Sequence, residues 1–290
     1  MHGSARLKTA RRKTLAQSLL FMSMIRPMLF LFFMSASLFS FSQGDSASTS
    51  NMRPLAFAPG EQLTYRFHYG LLDAAEATVT VKTSKNHRSW TIDAKGKSTG
   101  AFSWFFKVDD HYQSQIDSES GFPIHFQRDI KEGGYELHQD YTFDQINFQV
   151  DAISFKGKNA PKQTQYNLNA PVHDMVSGIY ALRGIAFDTL MEGDTVSVPL
   201  FMDEEWFQLK AVYAGNKDIK WNGEKWSCSL IHPVIQTGRI WKNPDDLAVY
   251  ITNDSNRIPL LAETRILFGS IKMELTNASG LRSPKGFVPN

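Results

Sequence analysis

The sequence predicts a mainly β protein, an antiparallel curved sheet or partial β-barrel crossed by one α-helix near residues 171–184. Three observations lead there. Apolar and polar side chains alternate with a period of two along most of the chain, Gly- and Asn-containing turns interrupt that rhythm at short intervals, and one segment alone carries helical spacing. An aromatic share of 12% also fits pleated, half-buried surfaces better than helical bundles.

In chain order, residues 1–42 stand apart. They hold six cationic residues (Arg6, Lys8, Arg11, Arg12, Lys13, Arg26) and no acidic one. Met28–Phe41 is an apolar run behind Arg26-Pro27, and Ser40-Phe41-Ser42 places small residues at positions −3 and −1 of a cut before Gln43. This is the layout of a secretory signal peptide. The run is shorter than the roughly 20 apolar residues that span a bilayer. Retention as an anchor over Leu15–Phe41 would place Arg26 near mid-span, at about 2.5–3.5 kcal/mol. Arg11-Arg12 lies too far from the apolar run for a twin-arginine signal, and no cysteine follows that run to carry a lipid anchor. Translation from Met24 would give a signal of ordinary length, so residues 1–23 read as an upstream start. The expected address is the periplasm or an outer-membrane association. Beyond this segment 25 basic residues face 29 acidic ones, which excludes a basic footprint for nucleic acid.

Residues 43–56 read as a flexible polar leader. Leu63, Tyr65, Phe67 and Tyr69 then alternate with Thr64, Arg66 and His68. Ala75, Ala77, Val79 and Val81 repeat the rhythm, and so do Trp90, Ile92 and Ala94 after a turn at Asn86-His87-Arg88, so Glu61–Gly96 is an antiparallel meander. Strands follow over Lys107–Asp117, Phe122–Ile130, Tyr135–Phe143 and Ile146–Val150. Gly133-Gly134 supplies the positive φ values of a tight hairpin.

Val172, Met175, Val176, Ile179 and Leu182 recur at helical spacing, with Pro171 in the first turn, Asp174 near the positive end and Gly184 where the pattern weakens. Strand signals return at Thr195–Leu200, Trp206–Ala214, Trp226–Ile235, Ala248–Thr252, Ile258–Phe268 and Ser270–Leu275. The organisation expected is a single β-rich domain over residues 57–277, two strand-rich halves joined by the helix, with a loose tail at 278–290. Nothing after residue 42 is long and apolar enough for a transmembrane helix.

Catalytic chemistry finds little footing. His111, His125 and His138 fall in three successive strands. Counting from the turns sets His111 and His138 opposite Arg128, and His125 opposite Ser114 and Tyr141, so they do not converge on a metal. Asp109-Asp110, Asp203-Glu204-Glu205 and Asp245-Asp246 are read as solvated loop carboxylates, because neighbours on a strand point to opposite faces. The single cysteine, Cys228, sits in an apolar strand with nothing to activate it. No catalytic, cofactor-binding or metal-binding residues are expected.

The residues that invite a ligand are the aromatic stripe Tyr65, Phe67 and Tyr69 with Trp90, and the helix residues Asp174, Tyr180 and Arg183. The stripe serves either as core or as the lining of a lipid-binding concavity. Asp174 and Arg183 serve as helix-terminal charges, or Tyr180 and Arg183 sit at a cavity mouth, where Arg183 meets an anionic headgroup.

Several patterns line up in order: Pro59-Gly60-Glu61-Gln62-Leu63-Thr64-Tyr65, Tyr69-Gly70, Ala74–Val81, Asp110 to Tyr112, Gly121-Phe122-Pro123, Glu132-Gly133-Gly134-Tyr135, Phe143-Asp144, Asp174 with Ser177–Arg183, Trp241, and Asp254 through Arg257-Ile258-Pro259. In these the chain resembles, over roughly residues 57–277, the bacterial domain-of-unknown-function 3108 family of exported proteins. It departs at Ala74-Ala75, where the family often has Ala-Gly. The resemblance implies an envelope protein without an agreed activity. Its strand-helix-strand order is similar to lipoprotein-carrier folds, curved open sheets around an apolar cavity. The function expected is non-enzymatic binding of a lipid, lipoprotein acyl chain or other amphipathic ligand. The alternatives are assembly through protein contacts at the outer membrane, and an enzyme acting on polysaccharide.

Overall fold

A computed structural model describes residues 55–287 apart from Asn86, residues 235–242, Pro244 and residues 267–268. The expected signal peptide, most of the leader and Trp241 lie outside the described residues.

Among the described residues fourteen strands form one antiparallel sheet. The first run is β1 (Gln62–Tyr69), β2 (Leu72–Thr83), β3 (Ser89–Ser98), β4 (Asp109–Asp117), β5 (Pro123–Glu132), β6 (Tyr135–Asp144), β7 (Gln149–Lys156) and β8 (Lys162–Asn167), with a short helix α1 (Phe102–Phe105) between β3 and β4. Helix α2 (Met175–Leu182) follows. The second run is β9 (Thr195–Met202), β10 (Glu205–Trp221), β11 (Glu224–Pro233), β12 (Leu247–Thr252), β13 (Pro259–Ile266) and β14 (Gly269–Ser279).

Each run steps from strand to strand, and the two meet where β14 pairs with β1, so β8 and β9 are the outer edges. Helix α2 carries the chain from one edge to the other. The edges face each other across the interior, since the Phe201 ring from β9 contacts Tyr141, Phe143 and Tyr166 at centroid distances of 5.3, 6.5 and 5.2 Å. The sheet is therefore a partial barrel, curled but not closed by backbone pairing.

Burial follows the two-residue rhythm. Along β4, Asp110, Tyr112, Ser114 and Ile116 point inward, and along β5 Phe126, Arg128, Ile130 and Glu132 do. One apolar cluster packs around α2 against β4–β7 and β9–β10, and a second joins β1, β2, α1 and β11–β14.

Several boundaries differ from the sequence reading. Helix α2 begins at Met175, because residues 172–174 run extended along β9: the His173 amide donates to Pro199 O and accepts Phe201 N–H at its carbonyl, both at 2.8 Å. That contact covers part of the β9 edge. The strand expected at Ile146–Val150 starts at Gln149, since the Asp144 carboxylate accepts the amides of Ile146 and Asn147 and Phe148 turns left-handed (φ 54°) to close the hairpin. β8 and α1 were not foreseen. The polar sequence of β8 has no apolar rhythm, and α1 is a single turn.

The histidine register is shifted by one. His111 and His138 both lie opposite Asp129, and His125 lies opposite Gln115 and Thr142. A bulge between Gln115 and Ile116 inserts the extra residue between β4 and β5. Each imidazole faces outward to its own carboxylate: His111 to Asp93 at 2.8 Å, His125 to Asp140 at 2.9 Å and His138 to Asp129 at 2.7 Å.

The stretch after β14 is docked, not loose. Asn256 exchanges two 2.9 Å hydrogen bonds with the Ser283 backbone, and Phe287 packs on Trp226 with ring centroids 4.7 Å apart. Gly280, at φ +61°, lets this stretch pass the Gly60 carbonyl, which an added Cβ would meet at 1.8 Å. Gly280→Ala is expected to lower stability by about 2 kcal/mol, through left-handed strain plus the clash. Urea denaturation checks this, and an unchanged midpoint would contradict the close approach.

Candidate functional site

The interior around α2 is the candidate site. At 100° per residue, Met175 and Leu182 lie on one flank of the helix and Val176 and Tyr180 on the next, with Ile179 and Arg183 along the ridge between them. The opposite side holds Gly178, where an added Cβ would sit 2.3 Å from Leu200 Cδ2, so the helix packs tightly on β9. Between the flanks, Ile179 is the one half-buried residue of an otherwise buried helix.

Each flank borders an apolar cleft. The first, of about 90 Å³, lies between α2 and β9–β13, with Leu200, Phe207, Leu209, Val249 and Ile251 in its wall. The second, of about 60 Å³, lies between α2 and β1–β3, with Leu63, Tyr65, Phe67, Ala77 and Val79 in its wall. Ile179, Arg183 and Pro259 border both.

Where the clefts meet lies a buried ion pair. Arg183 Nη1 and Nη2 donate to the two Glu61 oxygens at 2.7 and 2.8 Å, and Nη2 and Nε donate to the Asn256 carbonyl at 2.8 and 3.2 Å. Tyr180 donates its hydroxyl to Glu61 at 3.1 Å, and Arg257 Nε donates to the Arg183 carbonyl. The guanidinium lies 4.9 Å from the Tyr180 ring centroid and 5.6 Å from that of Phe57. Burial works against its charge, but the Glu61 carboxylate outweighs this and raises its pKa further. Tyr180 is pushed well above its ordinary value by burial and then by the Glu61 charge.

The helix start is equally specific. Asp174 accepts the amides of Val176 and Ser177 at 2.7 and 2.9 Å and the Ser114 hydroxyl at 2.5 Å. Burial nonetheless pushes its carboxyl up to about 6. Beside it, His173 stacks on Phe122 at 4.4 Å, and burial lowers its pKa to about 3, so the ring is neutral.

Toward the sheet edges a third polar group closes the interior. Arg128, fully buried, donates to Gln139 at 2.6 Å and pairs with Asp203. Glu204 accepts from Lys162 at 2.9 Å, Tyr166 at 2.6 Å and Ser154, and these partners hold its pKa down at about 2 although burial opposes them. Asp203 and Glu204 both adopt positive φ, 53° and 66°, so the β9–β10 turn is strained and aimed at the opposite edge. These two are therefore not solvated loop carboxylates; they clasp β9 to β5, β7 and β8. Asp246 is likewise buried and accepts the Asn243 amide at 2.8 Å. Asp110 points inward beside Glu132 while Asp109 is exposed, and burial raises the Asp110 carboxyl to about 6. Cys228 is a buried thiol pushed up to about 12 by burial.

Of the sequence candidates, Tyr65, Phe67, Tyr180 and Arg183 come together around the second cleft. Trp90 packs edge-on against Phe57 at 5.8 Å, Tyr69 lies beside Gly269, and Asp174 caps the helix. Arg183 is not at a cavity mouth awaiting a headgroup. Its fork is filled by Glu61, as burying a guanidinium requires. Sequence reasoning missed Glu61, Arg128, Asp203, Glu204 and Asn256. One signal was present: Arg128 occupies the phase of Phe126 and Ile130, and Glu61 that of Leu63 and Tyr65.

Glu61→Gln or Arg183→Met is expected to cost about 3–5 kcal/mol, because either leaves a buried charge unpaired. Glu61→Leu with Arg183→Met should be milder than Arg183→Met alone; denaturant midpoints of the set test this coupling. Asp174→Asn keeps the cap but removes the titration. With a folded pKa raised from 3.8 to about 6, Asp174 stabilises most below pH ~4, and that contribution is lost as pH rises through 6. The stability of the natural protein relative to Asp174→Asn should therefore fall between pH ~4 and ~6; a flat difference would contradict the buried carboxyl.

The family described as "Protein of unknown function (DUF3108)" matches residues 64–276, and the chain belongs to it. No curated protein matches. Among solved structures the chain is similar to a β-barrel-like protein of domain of unknown function DUF1849 from Brucella abortus, at 10% identity and a TM-score of 0.48, over 78% of this chain and 98% of that one.

Proposed function

We propose that this DUF3108 protein is exported to the cell envelope and there binds a lipid or other amphipathic ligand, without catalysis, in the clefts beside α2. The observation that carries the reading is the pair of open apolar clefts on either side of the helix, bordered by aliphatic and aromatic side chains and by an arginine already neutralised by Glu61. Such surface favours a hydrocarbon chain by about 25 cal/mol for each Å² removed from water. The export half rests on the basic, apolar and small-residue order of residues 1–42. No described helix is long and apolar enough to cross a membrane.

A second reading, assembly through protein contacts, has its own observation. Leu71 in the β1–β2 turn, Leu72 at the start of β2, and Trp104 and Phe105 in α1 are strongly exposed, from 62% to 101%. The two loops project from one rim, since Ala75 pairs with Ser98 and the Thr99 amide donates to the Ala74 carbonyl. Crosslinking in cells through Trp104 would bring down a partner on this reading.

Delipidated protein is expected to bind a fluorescent fatty-acid probe. Ile179→Glu, at the half-buried residue bordering both clefts, should weaken that binding by about tenfold or more, about 1.4 kcal/mol, with little change in melting temperature. Failure of the natural protein to take up any acyl probe removes the lipid reading. Recovery of the chain in the cytosolic fraction removes the export reading.

A further inference from the structure

The geometry points to a two-chain lipid as the ligand, bound astride α2 with one hydrocarbon chain in each cleft. This rests on the lipid reading above and adds to it the number of chains and their placement.

The two clefts are neighbours separated by a crest one side chain wide. Ile179, with Arg183 one turn further along, forms the crest, and both residues border both clefts. On one side lie Met175 and Leu182, on the other Val176 and Tyr180, as the helical spacing dictates. The outer walls come from different halves of the sheet, β9–β13 for one and β1–β3 for the other. A single chain fills one side and leaves the other apolar surface wet. Two separate single-chain ligands fill both, but the second is ordered at its own entropic cost, whereas chains joined at one headgroup share it.

The crest also fixes polarity. Ile179 is half-buried while every other residue of α2 is buried, so the crest is where bound chains reach solvent. Arg183, the other crest residue, is closed off by Glu61 and the Asn256 carbonyl and offers no competing charge to the chains.

Native mass spectrometry of delipidated full-length mature protein tests this with dihexanoylphosphatidylcholine and, separately, hexanoate, whose chain matches. The expected result is one two-chain lipid per protein, against two hexanoates. Leu209→Trp, filling the first cleft, and Ala77→Trp, filling the second, should each reduce hexanoate from two to one and weaken the two-chain lipid by tenfold or more. The remaining hexanoate shows that each variant is folded. A second measurement needs no variant: a phosphatidylcholine with a photoreactive diazirine on each chain should label peptides from both β1–β3 and β9–β12. If either filled variant keeps full affinity for the two-chain lipid, or if labelling is confined to one wall, the two-chain placement is overturned while lipid binding stands. If neither ligand binds, both fall.

Discussion

A guanidinium at the end of α2 and a carboxylate at the start of β1 meet with no water between them. The start of β1, the end of the helix and the β12–β13 turn are all held by that pair. Glu61 is anchored by the neighbouring strand β2: the Val81 amide donates to its carbonyl, and the adjacent Gly60 amide donates to Val81 O. Arg183 is anchored by the helix and by the Asn256 carbonyl in the β12–β13 turn. Three distant parts of the chain thus converge on one bidentate contact. A buried ion pair of this kind contributes little net stability over an apolar replacement, but its loss on one side is costly. Its value is positional, since it sets where a short helix lies across a very wide sheet.

The second constraint is the sheet's own ends. Fourteen strands leave two edges, and an exposed edge invites pairing with another chain. Here the edges are brought face to face without joining backbones. Residues 172–174 lie along β9, and Asp203 and Glu204 reach across to Arg128, Ser154, Lys162 and Tyr166. The turn that carries them holds two non-glycine residues at positive φ, a local cost that the clasp offsets. The helix crosses inside this open clasp, and the spaces left beside it are the clefts.

The functional reading grows from this division of labour. Glu61, Asp174 and Arg183 are committed to the helix ends and Arg128, Asp203 and Glu204 to the edge clasp, while the surfaces flanking the helix stay apolar. The titratable groups that stand out, Asp110, Asp174 and His173, are displaced from their ordinary values by burial and sit in structural positions. The proposed binding rests on apolar clefts beside a helix locked by an internal ion pair, with walls that come from both strand runs.

What the sequence by itself determined is local. The period-two rhythm, the Gly133-Gly134 hairpin and the single helical stretch each depend on residues a few positions apart, and all are present. So is the coarse arrangement of strands, helix, strands. β8 escaped notice because Gln163, Thr164 and Gln165 show no apolar face; it is a strand only because β7 pairs with it. The register of β4 on β5 was misread because one bulged residue moves every later partner. The edge clasp was misread because Asp203 and Glu204 look like an ordinary acidic turn until Arg128 and Glu204's own partners arrive from other strands. Glu61 and Arg183 lie 122 residues apart, and nothing in either neighbourhood names the other. Only the tertiary structure decided which polar residues would lose water, because desolvation depends on what surrounds a side chain, and that depends on the whole fold.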